Sequence, residues 1–316
     1  MSSLKINPEW DVLWQVIKAL PKPVVNDAYD LRKNTNIALA GSIAAFEVRE
    51  DVVETKHTVQ SLDGTNFEVR QYVPSAASGS EPQRAILYAF GGGMVAGSLD
   101  IWRVAIHDLA HRTGSQVFAV NYRLAPENPA PAAVEDFYSA AKWLQSHAAE
   151  FNVDPKRVVL YGKSAGGGIA TGAALLARDK GLPHPLAAVA LTYPMLDDRT
   201  VLPADHPLQD YLIWKSQSND LGWEALLEER TDDNVSIYAA PARAKDLSGL
   251  PDVFIDVGGL DLFRNEDIEF ARRLVAAGVY VELHLYPGVA HGFDSARDLK
   301  IAQEAVSNQT KFLTKY

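Results

Sequence analysis

The chain has 316 residues, of which 47% are hydrophobic and 22% are charged, a composition typical of soluble globular proteins. Its 30 basic and 40 acidic side chains give a net charge of −10, which disfavours nonspecific binding to nucleic acid or to an anionic membrane. The absence of cysteine excludes disulfides, thiolate metal sites and a cysteine nucleophile.

The N-terminus does not have the basic region and apolar core of a signal peptide. No stretch approaches 18 uninterrupted apolar residues, so the sequence predicts no membrane span. We therefore expect a cytoplasmic protein.

Two helices are predicted ahead of any strand. Residues 9–20 carry apolar side chains at the i, i+3, i+4, i+7 spacing of an amphipathic helix, which Pro21 and Pro23 end. A second helix is predicted over residues 29–47. Together they form an accessory layer, either a lid or plain packing against the core.

The first strands are predicted as a hairpin. Residues 52–59 alternate in part and residues 67–73 alternate well, with Asp63-Gly64 between them as the turn. This pattern indicates an antiparallel pair at the edge of a sheet, followed by an exposed loop over residues 74–82.

From Arg84 onward short apolar runs alternate with helical segments, which is typical of parallel strands buried on both faces. Strands are predicted over 85–90, 116–122, 157–161, 186–193, 252–257 and 280–286. Helices are predicted over 101–112, 132–149, 165–180, 266–277 and 295–312.

One segment interrupts this alternation. About fifty residues, 196–247, separate two core strands, which is long for a connection and indicates a cap insertion. The sequence therefore predicts an α/β fold with a mostly parallel central sheet. Its expected parts are N-terminal cap helices (1–50), a core (51–195 and 248–316) and the cap insertion (196–247).

A short segment between a strand and a helix has the pattern of a nucleophile elbow, Gly162-Lys163-Ser164-Ala165-Gly166. A sharp turn from strand to helix needs small flanking residues, and it holds the serine out of the sheet. The amide of Ala165 would then lie at a helix N-terminus, facing developing negative charge. The alternative is a strand–helix turn with an incidental serine.

A serine nucleophile needs a base and an acid that orients the base. The strand at 252–257 is followed by Asp261, and the strand at 280–286 is followed by His291. These are the two positions where an α/β sheet with a nucleophile elbow supplies the acid and the base.

Other acids compete for the role of Asp261. Asp256 lies inside a strand and is expected to face packing, while Glu266 and Asp267 lie on the next helix, where acids commonly interact with the helix dipole. Among the seven histidines besides His291, His284 lies in a strand and the other six do not follow a late core strand. We therefore interpret Ser164, Asp261 and His291 as a catalytic triad, which requires no metal or organic cofactor.

A glycine triplet, residues 91–93, follows the strand at 85–90. Glycines in such a turn allow backbone amides to approach a substrate oxygen. A flexible turn and a phosphate cradle are the alternatives, but no Lys-Ser/Thr follows, which excludes a P-loop.

Five segments in the same order resemble the hormone-sensitive-lipase-like branch of the α/β-hydrolases (the fold-3 type). They are the glycine triplet, Tyr122-Arg123-Leu124-Ala125-Pro126-Glu127, Gly162-Lys163-Ser164-Ala165-Gly166-Gly167, Asp261-Leu262-Phe263-Arg264 and His291-Gly292-Phe293. The resemblance extends from about residue 84 to the C-terminus, and more loosely to the cap.

The resemblance implies a carboxylesterase in which the amides of Gly92, Gly93 and Ala165 form an oxyanion hole. It also implies a cap over the acyl and alcohol pockets, a small-molecule ester as substrate, and a possible homodimer through residues 279–285 and the C-terminal helix.

Two residues depart from the family pattern. Phe90 precedes the glycine triplet where the family usually has histidine, and Lys163 precedes the serine where an acidic residue is usual. The catalytic donors are backbone groups, so neither change removes a reacting atom. The direction of the Lys163 side chain is not encoded in the sequence.

Substrate preference is weakly encoded. Met94, Leu212, Trp214 and Trp223 are candidates for an apolar pocket, which favours small to medium apolar esters, although Trp223 is better interpreted as cap core. The same triad also serves hydrolysis of amides, lactones or carbamates, and acyl transfer. A non-catalytic receptor is a further alternative, but receptors of this fold, such as those for gibberellin, have lost the histidine that is present here.

Overall fold

The computed structural model describes residues 4–21, 23–44, 46–77, 79–228, 231 and 234–316. Within them eight strands form one sheet: β1 (Val52–Gln60), β2 (Asn66–Pro74), β3 (Gln83–Ala89), β4 (Gln116–Val120), β5 (Val153–Lys163), β6 (Ala188–Thr192), β7 (Asp252–Gly258) and β8 (Val281–Tyr286). Eight α-helices are present in the same ranges: α1 (Pro8–Ala19), α2 (Ala28–Ile43), α3 (Leu99–Thr113), α4 (Ala132–Ser146), α5 (Ala165–Lys180), α6 (Ser216–Leu227), α7 (Arg264–Ala276) and α8 (Lys300–Lys315).

The strand order in the sheet is β1-β2-β4-β3-β5-β6-β7-β8. The pairs β1–β2 and β2–β4 are antiparallel, and every pair from β4 to β8 is parallel. The predicted hairpin at the sheet edge and the predicted parallel core are therefore confirmed. Because β3, β5, β7 and β8 run in the same direction, the segments that follow them meet at one edge of the sheet.

The central strands are buried on both faces, as their continuous apolar sequences predict. Every residue of β4 and of β6 is buried. The C-terminal helix begins at Lys300, five residues later than the expected start at residue 295. The preceding residues Phe293–Ser295 form a 3₁₀ turn instead, and the Asp294 side chain in that turn is directed into the protein interior.

The N-terminal helices pack against the residue 196–247 segment, which contains α6. Trp14 of α1 stacks on Tyr211 with ring centroids 6.2 Å apart, and the side-chain amide of Gln217 donates a hydrogen bond to the carbonyl of Val25 at 3.0 Å. The division into cap and core stays a prediction. None of the helices in the described ranges combines the length and apolar character needed to cross a membrane.

Candidate active site

Ser164 lies between β5 and α5, in a sharp turn that requires glycine at positions 162 and 166. Its φ of 54° and ψ of −121° are strained for a residue with a side chain. A Cβ at Gly162 would lie 2.1 Å from the carbonyl oxygen of Gly166, and a Cβ at Gly166 would lie 2.2 Å from the carbonyl oxygen of Ala89. The turn is therefore packed directly on the end of β3, and the serine hydroxyl is held at the edge of the sheet.

The imidazole of His291 lies between Ser164 and Asp261. Its Nε2 is 3.0 Å from Ser164 Oγ, and its Nδ1 is 2.8 Å from Asp261 Oδ2. A carboxylate only accepts hydrogen bonds, so Nδ1 carries the hydrogen and Nε2 is free to accept the serine proton. The structure thus brings together the three side chains that the sequence singles out, at hydrogen-bonding distances.

Asp261 itself is fixed by the backbone. The side chain has no exposed surface, and its Oδ1 accepts a hydrogen bond from the amide of Phe263 at 3.0 Å. Since one oxygen is bound to this amide, only Oδ2 is directed at the imidazole. This leaves one orientation for the carboxylate.

The competing acids have other partners. Asp256 accepts a hydrogen bond from Gln309 at 2.9 Å, and burial raises its pKa to about 7. Glu266 accepts a hydrogen bond from the amide of Leu196 at 2.7 Å, and burial raises its pKa to about 8. From its position at the start of a helix, Glu266 was equally compatible with an exposed acid that interacts with the helix dipole. In the structure it is buried and hydrogen-bonded to the loop after β6.

Two aromatic rings flank the imidazole. The ring centroid of Tyr193 lies 4.4 Å from that of His291, and Phe263 contacts His291 edge-on with centroids 5.3 Å apart. Tyr193 follows β6 and has a φ of 37°, a strained value for a residue other than glycine. Both rings therefore contact the base.

The glycine loop packs against the serine. A Cβ at Gly91 would lie 3.2 Å from the Cβ of Ser164, and a Cβ at Gly92 would lie 2.1 Å from the carbonyl oxygen of Ala96. The φ values of Gly92 (150°) and Gly93 (61°) lie in a region that favours glycine. In the ranges that the structure describes, neither glycine amide has a hydrogen-bond acceptor. The amide of Ala165, at the first position of α5, has no intrahelical acceptor either.

Phe90 supports this loop without a polar side chain. Its ring stacks on Tyr122 with centroids 4.2 Å apart, and the Tyr122 hydroxyl donates to the Phe90 carbonyl at 2.7 Å. The indole N–H of Trp102 donates to the carbonyl of Gly91 at 3.2 Å. Aromatic stacking and backbone carbonyls thus hold the loop that a histidine is expected to support in the family.

Helix α2 also holds the glycine loop, which the sequence does not reveal. Arg32 donates to the carbonyl of Val95 at 2.6 Å and forms a bidentate ion pair with Glu127. The Asn36 side chain accepts a hydrogen bond from the amide of Gly97 at 2.8 Å. The N-terminal helix is therefore tied to the residues immediately after the glycine triplet.

Lys163, the second departure from the family pattern, is directed at Asp294. Its ammonium contacts Asp294 Oδ2, and the Tyr193 hydroxyl donates to Asp294 Oδ1 at 2.7 Å. The sequence pattern does not identify Asp294 and Tyr193 as parts of the site. The only sequence signal was a basic residue before the serine and an acidic residue three positions after His291.

Two of the four candidate pocket residues, Met94 and Trp214, lie next to the glycine loop. A Cβ at Gly93 would lie 2.1 Å from the ring of Trp214, so this indole stands directly on the glycine loop. Met94 contributes to a small apolar pocket together with Ala130, Pro131, Ala133, Val134, Ile169, Leu226 and Ala239. Leu212 is buried in the core and is not part of this pocket lining, and Trp223 is completely buried.

The described residues contain no group of three or more His, Cys, Asp or Glu side chains placed to hold a metal ion.

A model for the α/β hydrolase fold matches residues 86–295. The carboxylesterase NlhH of Mycobacterium tuberculosis is 38% identical over 245 residues, which cover 72% of each chain. The chain belongs to the α/β-hydrolase family. This confirms the expected fold class and the resemblance to the hormone-sensitive-lipase-like branch.

Further members of the family are similar in sequence and structure. An ethyl acetate hydrolase of Pseudomonas putida is 31% identical over 242 residues, covering 75% of this chain and 74% of that protein. A bacterial heroin esterase superposes with a TM-score of 0.87 at 33% identity, over 98% of this chain and 97% of the other. An esterase of Pyrobaculum calidifontis superposes with a TM-score of 0.85 at 28% identity, over 98% of both chains. These relatives identify the chain as a carboxylic ester hydrolase.

Proposed function

We propose that the protein is a serine carboxylesterase that acts through an acyl-enzyme, with Ser164 as nucleophile, His291 as base and Asp261 as the residue that orients the base. The observation that carries this proposal is the pair of contacts at His291, 3.0 Å to Ser164 Oγ and 2.8 Å to Asp261 Oδ2. The same contacts argue against the alternative of a non-catalytic receptor.

In the first half-reaction, Nε2 of His291 accepts the Ser164 proton while Oγ attacks the ester carbonyl carbon. Asp261 accepts the hydrogen bond of the imidazole Nδ1–H and stabilises the imidazolium that forms. The imidazolium then protonates the leaving alcohol, and the C–O bond of the ester breaks. Water repeats the attack on the Ser164 ester, which releases the carboxylic acid and restores the serine.

The oxyanion of the tetrahedral intermediate is assigned to the amides of Gly92, Gly93 and Ala165. Support comes from the unbound glycine amides and from the close packing of Gly91 on Ser164. Such donors act strongly because they are fixed before the charge develops, each contributing on the order of 10²- to 10³-fold in rate.

The proposed substrates are small to medium apolar esters. The Trp214 ring stands on Gly93, so a large acyl group bound at the glycine loop would meet the indole. The relatives named for ethyl acetate and heroin hydrolysis act on esters that carry short acetyl groups. Met94, which directly follows the glycine loop, adds an apolar side chain there and no charge. Leu212 stays a weaker candidate for the pocket.

Fluorophosphonate labelling followed by peptide mass spectrometry tests the nucleophile. We expect one covalent adduct on Ser164, and complete loss of p-nitrophenyl acetate turnover in Ser164→Ala with an unchanged melting temperature. Ester turnover retained in Ser164→Ala would refute the assignment. A panel of matched ester, lactone, amide and carbamate substrates separates ester hydrolysis from the other activities of such a triad.

The cytoplasmic location, the division into cap and core, and the homodimer also stay predictions. The edge strand β8 exposes Leu283 and Leu285, which is compatible with pairing at that edge. Analytical ultracentrifugation measures the oligomeric state directly.

A further inference from the structure

The two chain segments that carry Ser164 and His291 are joined by a buried ion pair. Lys163 immediately precedes Ser164 at the end of β5, and Asp294 follows His291 by three residues. The Lys163 ammonium contacts Asp294 Oδ2, and the exposed fractions of the two side chains are 12% and 1%. The pair therefore links the position of the hydroxyl to the position of the imidazole.

Tyr193 completes this connection. Its hydroxyl donates to Asp294 Oδ1 at 2.7 Å, so both carboxylate oxygens are bound. Its ring lies 4.4 Å from the His291 ring, and Lys163 Nζ lies 5.9 Å from the Tyr193 ring centroid. Asp294 thus fixes the aromatic ring on which the imidazole rests.

The pair also balances charge beside the imidazole. Burial by itself would raise the pKa of Asp294, but the cations of Lys163 and Arg297 outweigh burial and hold it at about 2, so the carboxylate is ionised. The ring distances keep Lys163 Nζ within about 10 Å of the imidazole. At that separation an unbalanced unit charge shifts a protonation equilibrium by about one pH unit.

We propose that Lys163 and Asp294 are positioning residues that hold the His291 imidazole against Ser164 and keep the charge beside it balanced. This role rests on the proposed function of the triad. It gives a physical account of the lysine that stands where relatives usually have an acidic residue. Neither side chain touches the reacting atoms, so each acts through Tyr193 and the His291 loop.

Single and double variants test the proposal. In Lys163→Met, the Asp294 carboxylate loses the ammonium and keeps only the cation of Arg297, so it favours the imidazolium and the acidic limb of the pH profile of kcat/KM should move up by as much as about one pH unit. In Asp294→Asn, the lone ammonium should move that limb down by a similar amount. In both, displacement of the imidazole should lower kcat by about 10- to 100-fold while KM changes less than about threefold.

The double variant Lys163→Met/Asp294→Asn removes both charges, so its acidic limb should return to within about 0.3 pH units of the original, although kcat stays low. Lys163→Arg keeps the ion pair and should retain kcat within about fivefold. The other charged and titratable groups around the imidazole and the pair are unchanged in every variant: Asp261, Asp256, Tyr193, Tyr161, Tyr88, Arg112 and Arg297.

The pair Arg243–Asp198 is a matched control, with exposed fractions of 11% and 1%. Arg243→Met should lower the melting temperature but leave kcat and the pH profile unchanged. Acidic limbs that do not move in opposite directions in the two single variants would overturn the proposal, as would the same kinetic change in Arg243→Met. Fluorophosphonate labelling of the wild-type protein tests the triad assignment independently. If Ser164 is labelled and the acidic limbs do not shift as expected, the proposal for the ion pair fails while the triad assignment stands.

Discussion

Replacement of Asp261 by asparagine tests the geometry of the site most directly. The carboxylate has two fixed partners: Oδ1 accepts from the Phe263 amide at 3.0 Å, and Oδ2 accepts from His291 Nδ1 at 2.8 Å. In Asp261→Asn the side-chain oxygen must stay on the Phe263 amide, because an NH₂ group there would face another donor. The NH₂ group is then directed at the imidazole.

This orientation forces the other tautomer of His291. Nδ1 becomes an acceptor for the asparagine NH₂, the hydrogen moves to Nε2, and Nε2 loses its ability to accept the Ser164 proton. We expect kcat to fall by about 10⁴-fold, which corresponds to about 5 kcal/mol in the activation barrier. Turnover of p-nitrophenyl acetate, normalised to correctly folded protein by circular dichroism, measures the loss.

Asp267 provides the matched control. It is a fully buried acid six residues further along the chain, and neither of its carboxylate oxygens has a partner among the described residues. Burial raises the pKa of Asp267 well above its usual range, and asparagine has nearly the same size and shape as this side chain. Asp267→Asn should retain kcat within about threefold. A loss of less than about tenfold in folded Asp261→Asn would refute the tautomer argument.

Two further predictions concern stability and substrate size. Because the pKa of Glu266 in the folded protein (about 8) exceeds its ordinary 4.5, its stabilising contribution is complete below pH 4.5 and is lost as the pH rises to about 8. Urea unfolding at pH 6 and at pH 8 measures this loss as a decrease in the free energy of unfolding. The decrease should be about 2 kcal/mol larger for the wild type than for Glu266→Gln. Equal decreases in the two proteins would contradict the prediction. Trp214→Ala removes the indole that stands on Gly93, so the kcat/KM ratio of p-nitrophenyl octanoate to acetate should rise about tenfold, whereas an unchanged ratio would place the acyl group elsewhere.

Much of the fold is readable from the sequence because its signals are local. Continuous apolar runs predict strands buried on both faces, and the pattern around Ser164 predicts a turn that only small residues permit. The chain order of Ser164, Asp261 and His291 follows from the same strand boundaries. The start of α8 could not be predicted in the same way. The structure has a 3₁₀ turn at Phe293–Ser295, and α8 begins at Lys300 instead of at the expected residue 295.

The sequence alone predicts which residues lie at the carboxyl ends of the strands: a serine between glycines, an acid, a histidine and a glycine triplet. The groups around these residues depend on the tertiary structure, because contacts between distant segments leave no periodic or spacing signal. The ion pair of Lys163 with Asp294 joins residues 131 positions apart, and the hydrogen bond of Asn36 to Gly97 joins residues 61 positions apart. These residues come into contact only when the chain folds. The ion pair then supports the base His291, and the Asn36 hydrogen bond supports the glycine loop.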